Sequence, residues 1–140
     1  MEPLILHGRP VIPGRAEGKA LVSREPLSFW GGYDWKTGEI IDRHHSLSGC
    51  IARGRILAIP FSRGSSTTTA VLLEAVRAGT APAAILTVEA DFFFALASVV
   101  AHEMYTASLP VVALAESDFA RLKTDDVLSV SEDGGVSLLG

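Results

Sequence analysis

Apolar and polar positions follow two different periods along this chain, and the change falls near residue 65. Before it, short apolar or alternating runs are separated by Gly and Pro, as in GRPVIPGRAEGKALVS, a pattern typical of strands. The run 55–61 is the clearest predicted strand. After it, TAVLLEAVRAG places apolar residues at helical spacing from Val71 to Val76, and Gly79 is a natural stop. The first half therefore predicts strands, and the second half begins with a helix.

The rest of the second half repeats this alternation of strand and helix. Residues 81–90 predict a buried strand, and DFFFALASVVAHEMYTA predicts a helix that Asp91 can cap. LPVVALA predicts another strand, SDFARL a short helical turn, and DVLSVSEDGGVSLL a closing hairpin. Two strand–helix–strand crossovers imply a parallel core with antiparallel strands added at its edges. We expect one domain over residues 1–140, of α/β class, with a partly barrelled mixed sheet and flanking helices.

Composition narrows the classes of function. The chain is 48% hydrophobic and 20% charged, which argues against disorder, and its net charge of −4 disfavours nucleic acid or an anionic membrane as partner. Its longest apolar stretch, 92–101, is too short to span a bilayer, and MEPLILHGRP lacks the layout of a signal peptide. One cysteine excludes an internal disulfide and cannot alone hold zinc or an iron–sulfur cluster. We expect a cytoplasmic protein that binds no metal by itself.

The turn between the predicted strand 55–61 and the helix holds five consecutive hydroxyl residues, Ser65 to Thr69. Gly64 allows a sharp bend, and Ser65 and Ser66 fall near the helix start, where free N–H groups and the helix dipole attract anions. Arg63 pairs well with carboxylate or phosphate. The alternative is that one serine caps the helix and the threonines are ordinary surface. Neither a P-loop lysine nor Gly-x-Gly-x-x-Gly accompanies the turn, which disfavours nucleotide binding.

A second unusual segment, LSFWGGYDWKTG, packs four aromatic residues, a pair of glycines and an aspartate into one turn-rich stretch. Either Phe29, Trp30 and Trp35 plug one end of the core, or the segment is an aromatic surface that docks a partner or closes over a ligand. In the second interpretation the partner-facing residues are Ser28, Phe29, Trp30, Gly31, Gly32 and Asp34.

Two further pairs of residues are weaker candidates. His44 and His45 are adjacent, so in a strand they point to opposite faces, and a turn or surface role is favoured over a shared metal. Glu89 and Asp91 follow a predicted buried strand, where α/β sheets tend to place sites. They are equally compatible with a helix cap and a solvated neighbour.

Taken together, these segments resemble the small subunit, or swivel domain, of the aconitase X group of hydro-lyases. The resemblance runs from GRAEGKALVSREPLSFWGGYDWKTGEIID through GRILAIPFSRGSS and GTAPAAILTVEAD to LPVVAL. It implies a swivelling β/β/α domain that works with a larger chain. That larger chain is expected to hold the iron or iron–sulfur centre, and this chain none.

The resemblance also implies roles for the residues of the turn. By position, Ser65 is the general base that removes the substrate proton, and helix-start N–H groups would stabilise its alkoxide. Arg63, Gly64, Ser66 and Thr67 are the implied substrate-binding residues. Aconitase proper has an arginine where this chain has Thr67, so one anion contact is missing.

The substrate is less narrowly implied. Aconitase X relatives often carry a Gly-Ser pair at Thr68 and Thr69, so these threonines are expected to narrow or reshape the pocket. Members of the group resemble dehydratases of either cis-3-hydroxy-L-proline or phosphomevalonate. Arg63 is the only cation beside the turn, which favours the compact carboxylate of cis-3-hydroxy-L-proline. A non-catalytic anion-binding or regulatory module stays open as an alternative. A phosphohistidine swivel domain is disfavoured, because only Ser and Thr occupy the helix start.

Overall fold

The central strands are apolar along their whole length because both of their faces are covered. In the computed structural model, which describes residues 4–63 and 66–139, Ile56 and Ala58 belong to one hydrophobic cluster. Their neighbours Leu57 and Ile59 belong to another. Parallel strands buried on both sides produce such continuous apolar runs. This double burial explains why the run at 55–61 predicted a strand so clearly.

Ten strands and three helices lie within these described ranges. The strands are β1 (Leu4–His7), β2 (Arg9–Ile12), β3 (Ala16–Val22), β4 (Tyr33–Asp34), β5 (Glu39–Ile40), β6 (Ile56–Ala58), β7 (Ala84–Thr87), β8 (Val111–Ala113), β9 (Val127–Val130) and β10 (Gly135–Leu138). The helices are α1 (Thr67–Ala78), α2 (Phe92–Tyr105) and α3 (Glu116–Phe119). The predicted second-half elements are confirmed in order and type.

Eight of the strands described here form one mixed sheet, in the order β1-β10-β9-β3-β6-β7-β8-β2. Strands β3, β6, β7 and β8 are parallel, whereas β9, β10, β1 and β2 join antiparallel neighbours. The two outermost strands, β1 and β2, are consecutive in the chain and separated only by Gly8. The sheet is therefore nearly closed into a barrel, as the expected partly barrelled mixed sheet requires.

Close backbone packing explains the glycine between β1 and β2. The Gly8 N–H donates to the Gly134 carbonyl at 2.9 Å, and a Cβ on Gly8 would lie 2.4 Å from Cγ1 of Val112. Gly134 has φ +89°, and a Cβ there would lie 2.4 Å from the Gly8 carbonyl oxygen. Only glycines fit this crossing.

The helices cover the sheet unequally. Helices α1 and α2 pack together over one face, contributing Leu72, Phe94 and Ala97 to the cluster that contains Leu57. The short α3 joins the other cluster through Phe119. In the described part of the chain, no helix has the length and apolar character needed to cross a membrane.

The long connection between β3 and β6, residues 23–55, differs from the prediction of regular strands in the first half. Within it the described structure has only the two-residue strands β4 and β5, which pair with each other. Its turns depend on positions such as Gly38, whose φ is +83° and whose missing Cβ leaves room for the Thr80 carbonyl. Side chains of Phe29, Tyr33 and Ile40 anchor the connection in the core. Packing, and not sheet pairing, holds this segment.

Candidate functional site

The carboxyl ends of β3, β6, β7 and β8 lie along one edge of the sheet because these four strands are parallel. The loop from β6 to α1 and the loop from β7 to α2 both leave from this edge. In α/β sheets, ligands bind outside the carboxyl ends of the strands. The predicted turn at residues 63–67 and the predicted pair Glu89 and Asp91 thus belong to neighbouring loops.

The strand side of the turn is held by the segment that begins at Leu27. Leu27 and Ser62 form a parallel bridge, and the Arg63 N–H donates to the Leu27 carbonyl at 2.9 Å. The Arg63 side chain is exposed and makes no hydrogen bond or ion pair with any residue that the structure describes. The predicted Gly64 bend and the predicted base Ser65 lie outside the described residues.

The helix side of the turn begins at Ser66, the N-cap of α1. Its side chain makes no capping hydrogen bond, so the Ser66 hydroxyl does not cap α1. Ser66 and Thr67, the first helical residue, are exposed. The α1 N-terminus therefore lies at the surface, where its N–H groups and dipole favour an anion.

The next two hydroxyl residues are buried, which revises the expectation that they narrow or reshape a pocket. Thr69 is 8% exposed and its Oγ1 donates to the Phe93 carbonyl at 3.0 Å, so it ties α1 to α2. Thr68 is 1% exposed, and its Oγ1 has no hydrogen-bond partner within the described part of the chain. These threonines serve helix packing.

This contrast predicts opposite effects for the same substitution at the two threonines. Thr68→Val removes an unsatisfied buried hydroxyl and is expected to raise the free energy of unfolding by about 1 kcal/mol. Thr69→Val leaves the Phe93 carbonyl without its donor and is expected to lower it by about 1 kcal/mol. Urea denaturation of the two variants beside the wild type measures both changes. Equal losses at the two sites would contradict this assignment.

Asp91 caps α2, as predicted, and it also binds Ser62 of the neighbouring loop. Its Oδ1 accepts from the N–H groups of Phe93 at 2.9 Å and Phe94 at 3.1 Å, which caps α2. Its Oδ2 accepts from the N–H and the Oγ–H of Ser62, both at 2.7 Å. Asp91 is 8% exposed, and the other carboxylate of the pair, Glu89, is solvated. No sequence signal singled out Ser62 as its partner.

An open depression of about 200 Å³ lies between the two loops, lined by residues of 61–62 and 89–93. Exposed aromatic side chains surround it: Phe92 is 69% exposed and Phe61 39%. The site is a shallow face on this chain, with an aromatic border, and the depression does not enclose a ligand.

The aromatic segment divides between the two interpretations drawn from the sequence. Phe29 is fully buried, with its ring 5.2 Å from that of Tyr33 and 5.5 Å from that of Phe94, and Trp35 packs partly buried against the same cluster. Trp30 is 72% exposed and does not plug the core. The predicted partner-facing set is therefore wrong for Phe29 and for Gly32, which are buried. Ser28, Trp30, Gly31 and Asp34 keep some exposure.

Tyr33 fixes this segment to the end of α1. Its hydroxyl donates to the Thr80 carbonyl at 2.7 Å. Burial raises the pKa of Tyr33 above its ordinary value, so the phenol stays protonated and keeps this donor.

Arg24 is a second cation at this edge, and sequence reasoning missed it. Its guanidinium donates to the carbonyls of Phe119, Ala120 and Leu122 at 3.0–3.1 Å and lies 5.3 Å from the centre of the Phe119 ring. These contacts fasten α3 to the end of β3. Three N–H donors of Arg24 are thereby occupied, whereas the exposed Arg63 guanidinium makes no hydrogen bond or ion pair with the residues that the structure describes.

The predicted histidines play no joint role. His44 is exposed, whereas His45 is 7% exposed, with Nε2 3.1 Å from the Pro26 carbonyl and Nδ1 accepting from the Leu47 N–H. His45 thus supports the 23–55 connection. Across residues 4–63 and 66–139, no three His, Cys, Asp or Glu side chains lie close enough together to hold a metal ion.

The fold and this edge define a class: a mixed α/β domain whose site is one open face, built from the loops after parallel strands. The chain belongs to the aconitase X swivel-domain family, whose model matches residues 5–138. Among solved structures, aconitase X of Thermococcus kodakaraensis in its holo-form superposes with a TM-score of 0.87 and 33% identity. The match covers 98% of this chain and 99% of that one.

Similar proteins include enzymes with two different names. The cis-3-hydroxy-L-proline dehydratase of Pseudomonas aeruginosa is 50% identical over 108 residues, which cover 77% of this chain and 19% of that enzyme. The phosphomevalonate dehydratase small subunit of Methanosarcina acetivorans is 35% identical over 136 residues, covering 96% of this chain and 90% of that subunit. The chain therefore spans about a fifth of the length of the first group and nearly all of the second.

Proposed function

We propose that this chain is the small subunit of an aconitase X-type hydro-lyase that dehydrates cis-3-hydroxy-L-proline. The observation that carries the proposal is the exposed start of α1, with the exposed Arg63 side chain just before it. One exposed cation beside an exposed helix start suits a compact substrate with a single carboxylate. The 50% identity to the Pseudomonas aeruginosa dehydratase supports the same substrate.

In the proposed reaction this chain supplies the base and part of the carboxylate site. Ser65 Oγ takes the proton from the carbon next to the carboxylate, while Arg63 and the exposed N-terminus of α1 orient the substrate. The electrons of that C–H bond form a double bond as the C–O bond to the hydroxyl breaks. A serine hydroxyl is a weak base, and stabilisation of its alkoxide by the helix start is therefore essential.

The rest of the site is proposed to come from a large partner chain. The depression on this chain is open, and this chain matches only 19% of the Pseudomonas aeruginosa dehydratase, whose remaining length would correspond to such a partner. An iron or iron–sulfur centre in that partner would take up the leaving hydroxyl. Trp30 and the aromatic border around the depression are the proposed contact surface. A cytoplasmic location, consistent with a single cysteine, is part of the proposal.

A second candidate substrate is phosphomevalonate. The chain matches separate small subunits of phosphomevalonate dehydratases along nearly their whole length, whereas it matches only a segment of the hydroxyproline enzymes. Substrate phosphate would then need further cations from the partner chain, because Arg24 is already engaged by three carbonyls.

The proposal is tested by purifying this chain with its large partner and assaying both substrates, with each chain omitted in turn. We expect dehydration of cis-3-hydroxy-L-proline by the pair and by neither chain alone. Turnover of phosphomevalonate alone would transfer the assignment to the second candidate. Full activity of the large chain by itself would make this chain a non-catalytic anion-binding or regulatory module.

A further inference from the structure

We propose that Asp91 is a positioning residue for the catalytic turn, acting through Ser62. This inference rests on the proposed role of Ser65 as the base. Ser62 lies three residues before Ser65 in the loop from β6 to α1. Asp91 belongs to the neighbouring loop, and its carboxylate joins the two.

The geometry assigns the two carboxylate oxygens to different tasks. Oδ1 accepts both N–H groups at the start of α2, and Oδ2 accepts both donors of Ser62. An α2 cap alone needs only the first oxygen, and a serine would cap that helix as well as an aspartate does. The contacts of Oδ2 therefore call for an explanation other than helix capping.

Backbone contacts on the other side of the loop complete the support. Leu27 bridges to Ser62 and accepts the N–H of Arg63. Residues 62 and 63, immediately before the proposed base, are thus hydrogen-bonded to Leu27 on one side and to Asp91 on the other. The reacting atoms must be positioned to within a fraction of an ångström. Displacement of the turn therefore lowers kcat even when the substrate still binds.

Two substitutions separate positioning from capping. Asp91→Ser retains a cap for α2 but cannot reach Ser62 with a second oxygen. Asp91→Asn keeps the shape of the side chain but has only one acceptor oxygen. Its NH2 group must therefore face either the Ser62 N–H or the α2 N–H groups, and one of the two sets of hydrogen bonds is lost. Ser62→Ala removes just the Oγ bond and leaves the backbone bond and the cap intact.

The test uses the reconstituted complex and measures kcat, KM and thermal unfolding for each variant. Both Asp91 variants are expected to lower kcat about 10- to 100-fold with KM within about threefold of wild type. Ser62→Ala is expected to cause a smaller loss of kcat in the same direction. Asp126→Asn is the matched control, because its carboxylate accepts the Lys123 N–H in the loop before β9, and it is expected to turn over normally.

A wild-type kcat for Asp91→Ser would overturn the positioning role. Where the Asp91 variants do not assemble with the large chain, Ser62→Ala decides: normal kcat overturns the proposal and reduced kcat at unchanged KM supports it. Ser65→Ala is assayed in parallel. If Ser65→Ala stays active, the proposed function has failed; if it is inactive while both Asp91 variants are normal, only the positioning role has failed.

Discussion

Replacing Ser65 with alanine is expected to abolish dehydration while leaving the complex of this chain with its large partner assembled. The hydroxyl is the proposed proton acceptor, and losing a general base lowers rates by about 10²- to 10⁴-fold. Substrate binding should persist, because Arg63 and the exposed N-terminus of α1 stay in place. The loss is therefore expected in kcat, with KM little changed, in a steady-state assay of the reconstituted pair.

Ser66→Ala is the matched control for this substitution. It removes the adjacent hydroxyl, which does not cap α1, and is expected to raise KM more than it lowers kcat. Turnover by the Ser65→Ala complex at near wild-type rate would refute the assignment of the base. A loss of assembly in gel filtration would show instead that the residue acts in the interface.

The second large effect is expected from Phe29→Ala, which should lower the free energy of unfolding by about 3–5 kcal/mol. Phe29 is fully buried and its ring contacts both Tyr33 and Phe94, so its removal separates the 23–55 connection from α2. Chemical denaturation of the isolated chain measures the change. A loss below that of an ordinary surface substitution would contradict this packing role.

Its neighbour Trp30 provides the matched comparison. The Trp30 side chain is 72% exposed, so Trp30→Ala is expected to change the free energy of unfolding by no more than about 0.5 kcal/mol. In the proposed partner surface it should nevertheless weaken binding of the large chain about tenfold or more, because buried tryptophans dominate interfaces. Calorimetric titration of the large chain with each variant tests this. Unchanged affinity for Trp30→Ala would place the partner elsewhere.

Local pattern was enough to predict the elements of the second half, because each of them has its own period and end signals. Gly79 ends α1 with φ 76°, and Asp91 caps α2, as the sequence indicates. Prediction failed for 23–55, where apolar residues such as Phe29 and Leu47 are buried by long-range packing without belonging to a strand. A run of apolar residues between glycines does not distinguish the two cases.

The site was predictable only in part for a similar reason. Hydroxyls beside a glycine point to a helix start, but whether each faces solvent depends on what packs against that helix. Thr68 and Thr69 are buried because α2 lies against α1, a contact between segments more than twenty residues apart. Long-range contacts of the same kind bring Asp91 to Ser62 and bring Arg24 to the carbonyls at and just after the end of α3.

The strands β1 and β2 are consecutive in the chain but lie at opposite ends of the sheet. This placement has a consequence for how the chain behaves in concentrated solution. One short ribbon covers the edges of β10 and β8, which would otherwise be open to a strand from another molecule. The ribbon is held against the turn between β9 and β10, where the Gly8 N–H donates to the Gly134 carbonyl at 2.9 Å. A substitution that displaces this ribbon would uncover the edges of β10 and β8 together, and we expect self-association through those edges as the result.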